Sequence, residues 1–323
     1  MSYLMPYSNI PPKEYPQSYC ESLMGDFINF LDVSPQTCST YKRALRQFFK
    51  YMKENNISMP TRDDILSFKK KLQELNKKAA TINLYLSSIR RFFTWCDQRG
   101  FIKNISQGIK TVHIDKGHKR DFVGERQMQI ILSGMPRITI QDKRNYAIVL
   151  LAVTAGLRTI EIVRANIEDI RTQGDIVTLS IQGKGKESKS EFVKLAPETL
   201  DAINDYLHVR GEVSATEPLF TSTSNRHKNG RLTTRSVSQY IKKALRNAGF
   251  DSPRLSAHSL RHSAVTLSIM AGHSLDEVQA FARHSSINTT QIYSHAVNRL
   301  QSSIESDIEM MIFNISRGKD FLI

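Results

Sequence analysis

The chain has little cysteine: Cys20, Cys38 and Cys96 are three in 323 residues, odd in number and far apart. That argues against a disulfide framework and against a cysteine zinc site. It has no apolar run approaching the ~20 residues that a membrane-spanning helix needs. Its start, Met-Ser-Tyr-Leu-Met-Pro-Tyr-Ser, has no charged segment leading into an apolar one, so it does not read as a secretory signal. Internal repeats and low-complexity tracts are also missing. The expectation is a cytoplasmic protein with no membrane partner. Acidic residues are the other scarcity: 31 Asp and Glu stand against 45 Lys and Arg, a formal net charge of +14. Such an excess opposes compaction by self-repulsion, and a polyanion relieves it. Nucleic acid is therefore the first partner to consider, with a merely soluble basic protein as the alternative. The basic residues are spread along the chain and form no separate basic amphipathic stretch, which argues against a membrane surface.

A length of 323 residues suits two domains, and 40% hydrophobic residues suffice for a sizeable core. Residues 1–15 hold three prolines and read as a tail. Residues 16–108 read as about four helices. Tyr41, Leu45, Phe48, Phe49 and Met52 recur at helical spacing, Thr61 with Asp64 marks a helix start, and Gly100 follows Ile82, Leu86, Ile89, Phe92 and Phe93 as a stop. Residues 109–120 are polar, basic and aperiodic and read as a linker. A second domain, 121–323, opens with helices. It then turns to a strand at Ile176–Ile181, with Val177, Leu179 and Ile181 on one face, and a partner at Glu191–Leu195 across a turn over Gly183–Ser190. Helices resume at Pro197. The expected fold is mainly α with a small β-hairpin in the second domain, an α+β arrangement.

The residues that carry chemistry cluster late in the chain. His258-Ser-Leu-Arg261-His262 is followed by Arg283-His284-Ser-Ser-Ile-Asn-Thr-Thr-Gln-Ile-Tyr293; upstream stand Ala155-Gly-Leu-Arg158-Thr-Ile-Glu161 and Gly183-Lys184-Gly185. Breaking a phosphodiester requires neutralising its two non-bridging oxygens, and the planar, permanently charged arginine fork does this best. Arg158 either pairs with Glu161 three residues on or is held by it while binding phosphate. His258 and Arg261 are neighbours on one helix surface, behind Ser256 as a cap, at a helix start that favours anions. Arg261 lies near an apolar face of Leu260, Ala264, Leu267 and Ala271, where it needs a buried anionic partner. His258 with His262 has the spacing of a metal pair, but Ser259 stands where a zinc protease has glutamate, and no third ligand is evident. Ser274 with Glu277, and Asn288 with Gln291, read as capping boxes. The second opens a helix with Ile292, Ala296 and Leu300 as its buried stripe and Tyr293 beside it. A tyrosine attacking DNA conserves bond energy in a phosphotyrosyl diester, so religation needs no ATP. Lys184 is either a solvated turn charge or the acid that protonates the departing 5′ oxygen.

In this order, these residues resemble the tyrosine recombinase/integrase family, that of the Xer proteins, phage integrases and Cre. The resemblance covers nearly the whole chain: 16–108 as a helical core-binding domain and 121–323 as a catalytic domain, two domains closing as a clamp on DNA. The helical domain begins near residue 16, which suits the compact Xer-like architecture without an added arm-site domain. The resemblance implies a site-specific recombinase for a mobile element or for chromosome dimers, with a catalytically inactive DNA-binding protein of the same fold as the alternative. It implies Arg158 and Arg261 on the phosphate, His258 assisting proton transfer and His284 hydrogen-bonding the transition state. It gives Lys184 as general acid, Lys186 in reserve, Tyr293 as the nucleophile of a 3′-phosphotyrosyl link, and Glu161 in support. It implies no cofactor and no metal, and a homotetramer, or an assembly with a related recombinase, on double-stranded DNA with paired sites. The stripe Ile304, Ile308, Met311 and Ile312 either docks on a neighbouring subunit or packs on its own domain. The family usually has Leu-Gly before the second histidine motif, where this chain has Ala282-Arg283; Arg283 is taken as a DNA contact. Further DNA contacts are expected at Arg43, Arg46, Lys50, Arg90 and Arg91, with at most one of the last two facing the duplex.

Overall fold

A computed structural model describes residues 17–114, 121–183, 185–225 and 228–313. The tail at 1–15, the second half of the expected linker (115–120), Lys184 and residues 314–323 lie outside the described residues. The chain divides into two compact units, one up to residue 117 and one from residue 118.

The first unit is four helices: α1 (Gln17–Phe30), α2 (Pro35–Glu54), α3 (Arg62–Glu74) and α4 (Ala79–Gln98). Ser34 caps α2 by accepting from the Thr37 N–H at 3.3 Å. Thr61 and Asp64 cap α3 reciprocally, with Asp64 Oδ2 accepting from the Thr61 N–H at 2.7 Å. Gly100, at φ +71°, lets the chain turn away after α4 in the left-handed region where a side chain is strained. The core is aromatic: Phe27, Phe48, Phe92, Phe93 and Trp95 are buried and meet edge-on or tilted. Such pairs add about 0.5–1.5 kcal/mol each beyond their area, so this small unit carries a firm core. The linker expected from 109 does not start there. Ile109 is buried in the aromatic core, its carbonyl accepts from Arg90 Nη2 at 2.8 Å, and Asn83 brackets Val112 with bonds of 2.8 and 2.7 Å. Residues 109–112 belong to the first unit.

The second unit begins with α5 (Glu125–Ser133), α6 (Ile140–Thr154) and α7 (Thr159–Arg164). Ala147 to Val153 are buried without interruption, so α6 is the axis of this core, with α8 (Pro197–Arg210) and α10 (Ala257–Met270) packed against it. A three-stranded antiparallel sheet follows α7 in the order β1 (Ile170–Gln173), β2 (Ile176–Ile181), β3 (Glu191–Lys194). Leu179 pairs with Val193 and, on its other side, with Ile170. The hairpin was legible from its alternation; β1 was not, because three of its four residues are exposed and it buries no side chain. Its one signal was Gly174-Asp175, a two-residue turn between paired Gln173 and Ile176, with Gly174 at φ +59°. The remaining helices are α9 (Thr234–Asn247), α11 (Leu275–Ala282), α12 (Ile287–Gln301) and α13 (Ile304–Phe313). No helix among the described residues is long and apolar enough to cross a membrane.

Candidate active site

The site is built where α10, α11 and α12 meet one another, beside the turn before α7. That turn, Ala155-Gly156-Leu157-Arg158, depends on Gly156. Its φ is +58°, and a Cβ there would meet the Phe281 ring at 3.2 Å. The Gly156 carbonyl can therefore face inward and accept from Arg261 Nη1 at 2.5 Å and Arg283 Nη2 at 3.2 Å.

Glu161 is fully buried and organises the arginines. Its Oε2 accepts from the Arg158 backbone N–H at 2.8 Å, and its Oε1 from Arg158 Nη1 at 2.8 Å. Arg283 Nη2 reaches Oε2 at 3.1 Å. Burial alone would raise the Glu161 carboxyl, but Arg283 and then Arg158 outweigh it and hold it below the usual range. Arg158 keeps part of its guanidinium exposed, beside an open cleft of about 990 Å³ that Gly183, Lys186, Glu191 and His284 also line.

Arg283, expected as a DNA contact, turns inward although it also lines this cleft: its side chain is 6% exposed, and its Nη atoms donate to Glu161 and to the carbonyls of Phe281 and Gly156. The backbone explains how a charged residue stands where the family motif has glycine. Arg283 adopts φ +54°, ψ +48° at the end of α11, the conformation a glycine would supply, and the side chain is turned back into the protein. Arg261, 3% exposed, is held by Gly156 and by the Ala282 carbonyl. The buried anion expected near Arg261 is Glu161, which acts on it electrostatically while the two carbonyls take its hydrogen bonds. Burial, with Arg158 and Arg283 nearby, lowers Arg261 to about 10.

α10 starts at Ser256 as expected, but the bond runs the other way: Ser259 Oγ accepts from the Ser256 N–H at 3.0 Å, and the Ser256 hydroxyl makes no hydrogen bond among the described residues. His258 is exposed at this end, and its ring meets that of His262 edge-on at 4.8 Å.

α12 differs most from expectation. It begins at Ile287, after Ser286, so Asn288 and Gln291 are exposed first-turn residues and not a capping pair. Its buried face is Thr290, Tyr293 and Val297, while Ile292 and Leu300 point outward. Counting apolar residues selects the oilier stripe, whereas the helix is oriented by what it packs on, α10 and α11. Tyr293 is therefore central, 7% exposed, with its hydroxyl hydrogen-bonded to His262 Nδ1. The His262 ring lies 5.2 Å away, and the His284 ring stacks at 6.2 Å and 19°. Thr290 Oγ1 meets His284 Nδ1 at 3.0 Å, which leaves Nε2 as the free edge of that ring for a ligand. Burial, then Arg261, Arg158 and Arg283, push His284 down to about 4, so it is neutral near pH 7.

Two residues here escaped the sequence reading in these roles. The sequence pattern offers His262 only as half of a metal pair, and Thr290 carries no signal beyond its place in Asn-Thr-Thr-Gln. Of the expected DNA contacts, Arg43, Arg46, Lys50 and Arg91 are exposed in the first unit, but Arg90 is half-buried and bound to Ile109. Lys184 lies outside the described residues; Lys186 lines the cleft.

Paired guanidiniums beside a buried phenol flanked by two imidazoles define a phosphoryl-transfer type of centre, on a helical fold with a small sheet. Residues 122–299 match the phage integrase family, and residues 26–100 match the phage integrase N-terminal SAM-like domain. The chain belongs to the phage integrase family, the tyrosine recombinases, and has their Xer-like two-domain architecture; it is an enzyme of DNA strand cleavage and rejoining. It is 29% identical over 304 residues to the tyrosine recombinase XerD of Oceanobacillus iheyensis, covering 88% of this chain and 98% of that protein. It is 26% identical over 285 residues to the tyrosine recombinase XerC of Roseiflexus castenholzii, covering 85% and 88%. Its fold is similar to that of the XerH site-specific recombinase bound to palindromic difH substrate in a post-cleavage complex, with a TM-score of 0.73, 22% identity, and coverage of 91% of this chain and 85% of that one.

Proposed function

We propose that the protein is a site-specific recombinase that cuts DNA with Tyr293, forms a 3′-phosphotyrosyl link and exchanges strands between paired sites on double-stranded DNA. The observation that carries this reading is the position of Tyr293, buried at the centre of α12 between two histidines and beside Arg261. Arg158 and Arg261 neutralise the non-bridging oxygens, His284 donates to the same phosphoryl group, and His258 assists proton transfer. Glu161 fixes Arg158. Charge stabilisation of this kind is worth about 10²–10³ in rate for each donor. A lysine of the β2–β3 hairpin, Lys184 or its neighbour Lys186, protonates the leaving 5′ oxygen. The chemistry needs neither metal nor ATP, because the tyrosyl ester conserves the bond.

The protein acts in the cytoplasm as a homotetramer on DNA. Support for assembly comes from α13, none of whose residues is buried although Ile304, Ile308, Met311, Ile312 and Phe313 are apolar. The same unit has a groove of about 430 Å³ with Val153, Leu267, Ala271, Val278 and Phe281 in its lining beside Thr154, Ser268, His273 and Glu277, and its apolar part suits α13 of a second copy. The biological use is integration and excision of a mobile element or resolution of chromosome dimers.

The test is an SDS-resistant adduct on nicked DNA from the ends of the element that encodes the protein, formed in EDTA, with Tyr293→Phe alongside. An adduct with the wild type alone is the expected result. Binding without any adduct would favour an inactive DNA-binding protein of this fold.

A further inference from the structure

We infer that His262 is a catalytic residue, the acceptor of the Tyr293 proton when the tyrosine attacks DNA. The inference rests on Tyr293 being the nucleophile. The Tyr293 hydroxyl hydrogen-bonds His262 Nδ1, and the rings lie 5.2 Å apart, tilted by 35°. With the phenol donating, Nδ1 is the unprotonated nitrogen and the ring carries its hydrogen on Nε2.

The neighbouring histidines meet the site differently. His284 presents its face to the phenol and engages Thr290 through Nδ1 at 3.0 Å. His258 is exposed one turn earlier on α10 and meets His262 ring edge to ring face at 4.8 Å. His262 also directly follows Arg261 on α10. The proton acceptor and a phosphate-binding guanidinium therefore ride on consecutive residues of one rigid helix. Tyr293 comes to both from α12. A phenol with a pKa near 10 is a poor nucleophile at neutral pH unless its proton leaves during attack. An imidazole already in hydrogen-bond contact with the phenol is placed to take that proton during attack.

The step balances without any added reagent. The Tyr293 O–H proton passes to His262 Nδ1 as the phenolic oxygen bonds to phosphorus. The bond from phosphorus to the 5′ oxygen breaks, and that oxygen takes its proton from the hairpin lysine. In religation the 5′ hydroxyl attacks, the phenolic oxygen leaves, and His262 returns the proton.

The experiment measures single-turnover adduct formation at saturating protein on nicked recombination-site DNA, with binding measured separately. Wild type, Tyr293→Phe, His262→Ala and His262→Asn are compared on an ordinary substrate and on one with a 5′-bridging sulfur. Asparagine keeps a hydrogen-bonding group but cannot take a proton, so it separates catalysis from mere orientation. His262→Ala is expected to slow adduct formation by about 10²–10⁴-fold with DNA affinity unchanged, and His262→Asn to recover little of the loss. Sulfur leaves without an acid, so it should rescue a hairpin-lysine variant and not His262→Ala. Wild-type rates in His262→Asn, or rescue of His262→Ala by sulfur, would overturn the assignment to the tyrosine's proton. If Tyr293→Phe still forms the adduct, the nucleophile reading fails first. If Tyr293→Phe is inert while His262→Ala cleaves normally, only the role of His262 falls.

Discussion

Arg283 and Arg158 share one buried carboxylate: Glu161 Oε2 lies 3.1 Å from Arg283 Nη2, and Glu161 Oε1 lies 2.8 Å from Arg158 Nη1. Removing Arg283 leaves Glu161 buried with half its compensation. Arg283→Gly relieves a left-handed residue, a gain of about 1–2 kcal/mol, but breaks a buried pair, which costs about 3–5 kcal/mol. The pair wins, so the variant should be less stable by about 1–4 kcal/mol in denaturant unfolding. In a double-mutant cycle with Glu161→Gln the two losses should be far from additive. Unchanged stability in Arg283→Gly would show that the pair contributes nothing.

His284 should titrate near 4, because burial comes first and three guanidiniums add to it. The unfolded chain takes up that proton at about 6.5. Since the folded value is depressed, the stability contribution is present above about pH 6.5 and is lost as pH falls towards 4. NMR of the histidine rings should show one such low midpoint, and His284→Asn should flatten the acid side of the stability profile. Arg283→Gln, by removing a positive neighbour, should move the midpoint up. A midpoint near 6.5 in the wild type would contradict the burial described here.

Arg43, Arg46 and Lys50 lie three and four residues apart along the exposed side of α2. Each replaced by alanine should weaken binding evenly across DNA sequences and lower the slope of log affinity against log salt by about one. Arg90→Ala should behave differently. Its guanidinium holds the Ile109 carbonyl, so the first unit should lose stability while the salt slope stays put. An unchanged slope in the α2 variants would move the phosphate contacts elsewhere.

Deletion of the chain after Gln301 should spare binding to a single half-site and abolish cooperative assembly on paired sites. Gel-shift titrations on half and full sites make the comparison. Undiminished cooperativity would remove α13 from the interface.

Much of this was readable from sequence where a pattern is local. The hairpin followed from alternation, the α3 and α11 caps from serine or threonine with an acid three residues on, and the cluster of reactive groups from their spacing. The failures share a different cause. The face of α12, the tie of residues 109–112 to the first unit and the inward turn of Arg283 are all decided by distant partners: α10, Asn83 with Arg90, and Glu161. Apolar counting favoured Ile292 and Leu300, and charge counting favoured DNA for Arg283. Neither rule sees that α12 keeps its less oily side inward, with Tyr293 on it, or that a cation is drawn in by a buried acid.

The Gly156 carbonyl, accepting from Arg261 and Arg283, joins stretches of chain more than a hundred positions apart, 105 and 127 residues respectively. No short fragment of the sequence contains these groups. During synthesis the first unit, with its basic α2, emerges long before Tyr293, so an unfinished polypeptide lacks α12 and the site it completes. A single proteolytic cut that releases α12 disarms the protein as completely as loss of the tyrosine. For an enzyme whose error is a broken genome, such late and indivisible completion is a safeguard written into the order of the residues.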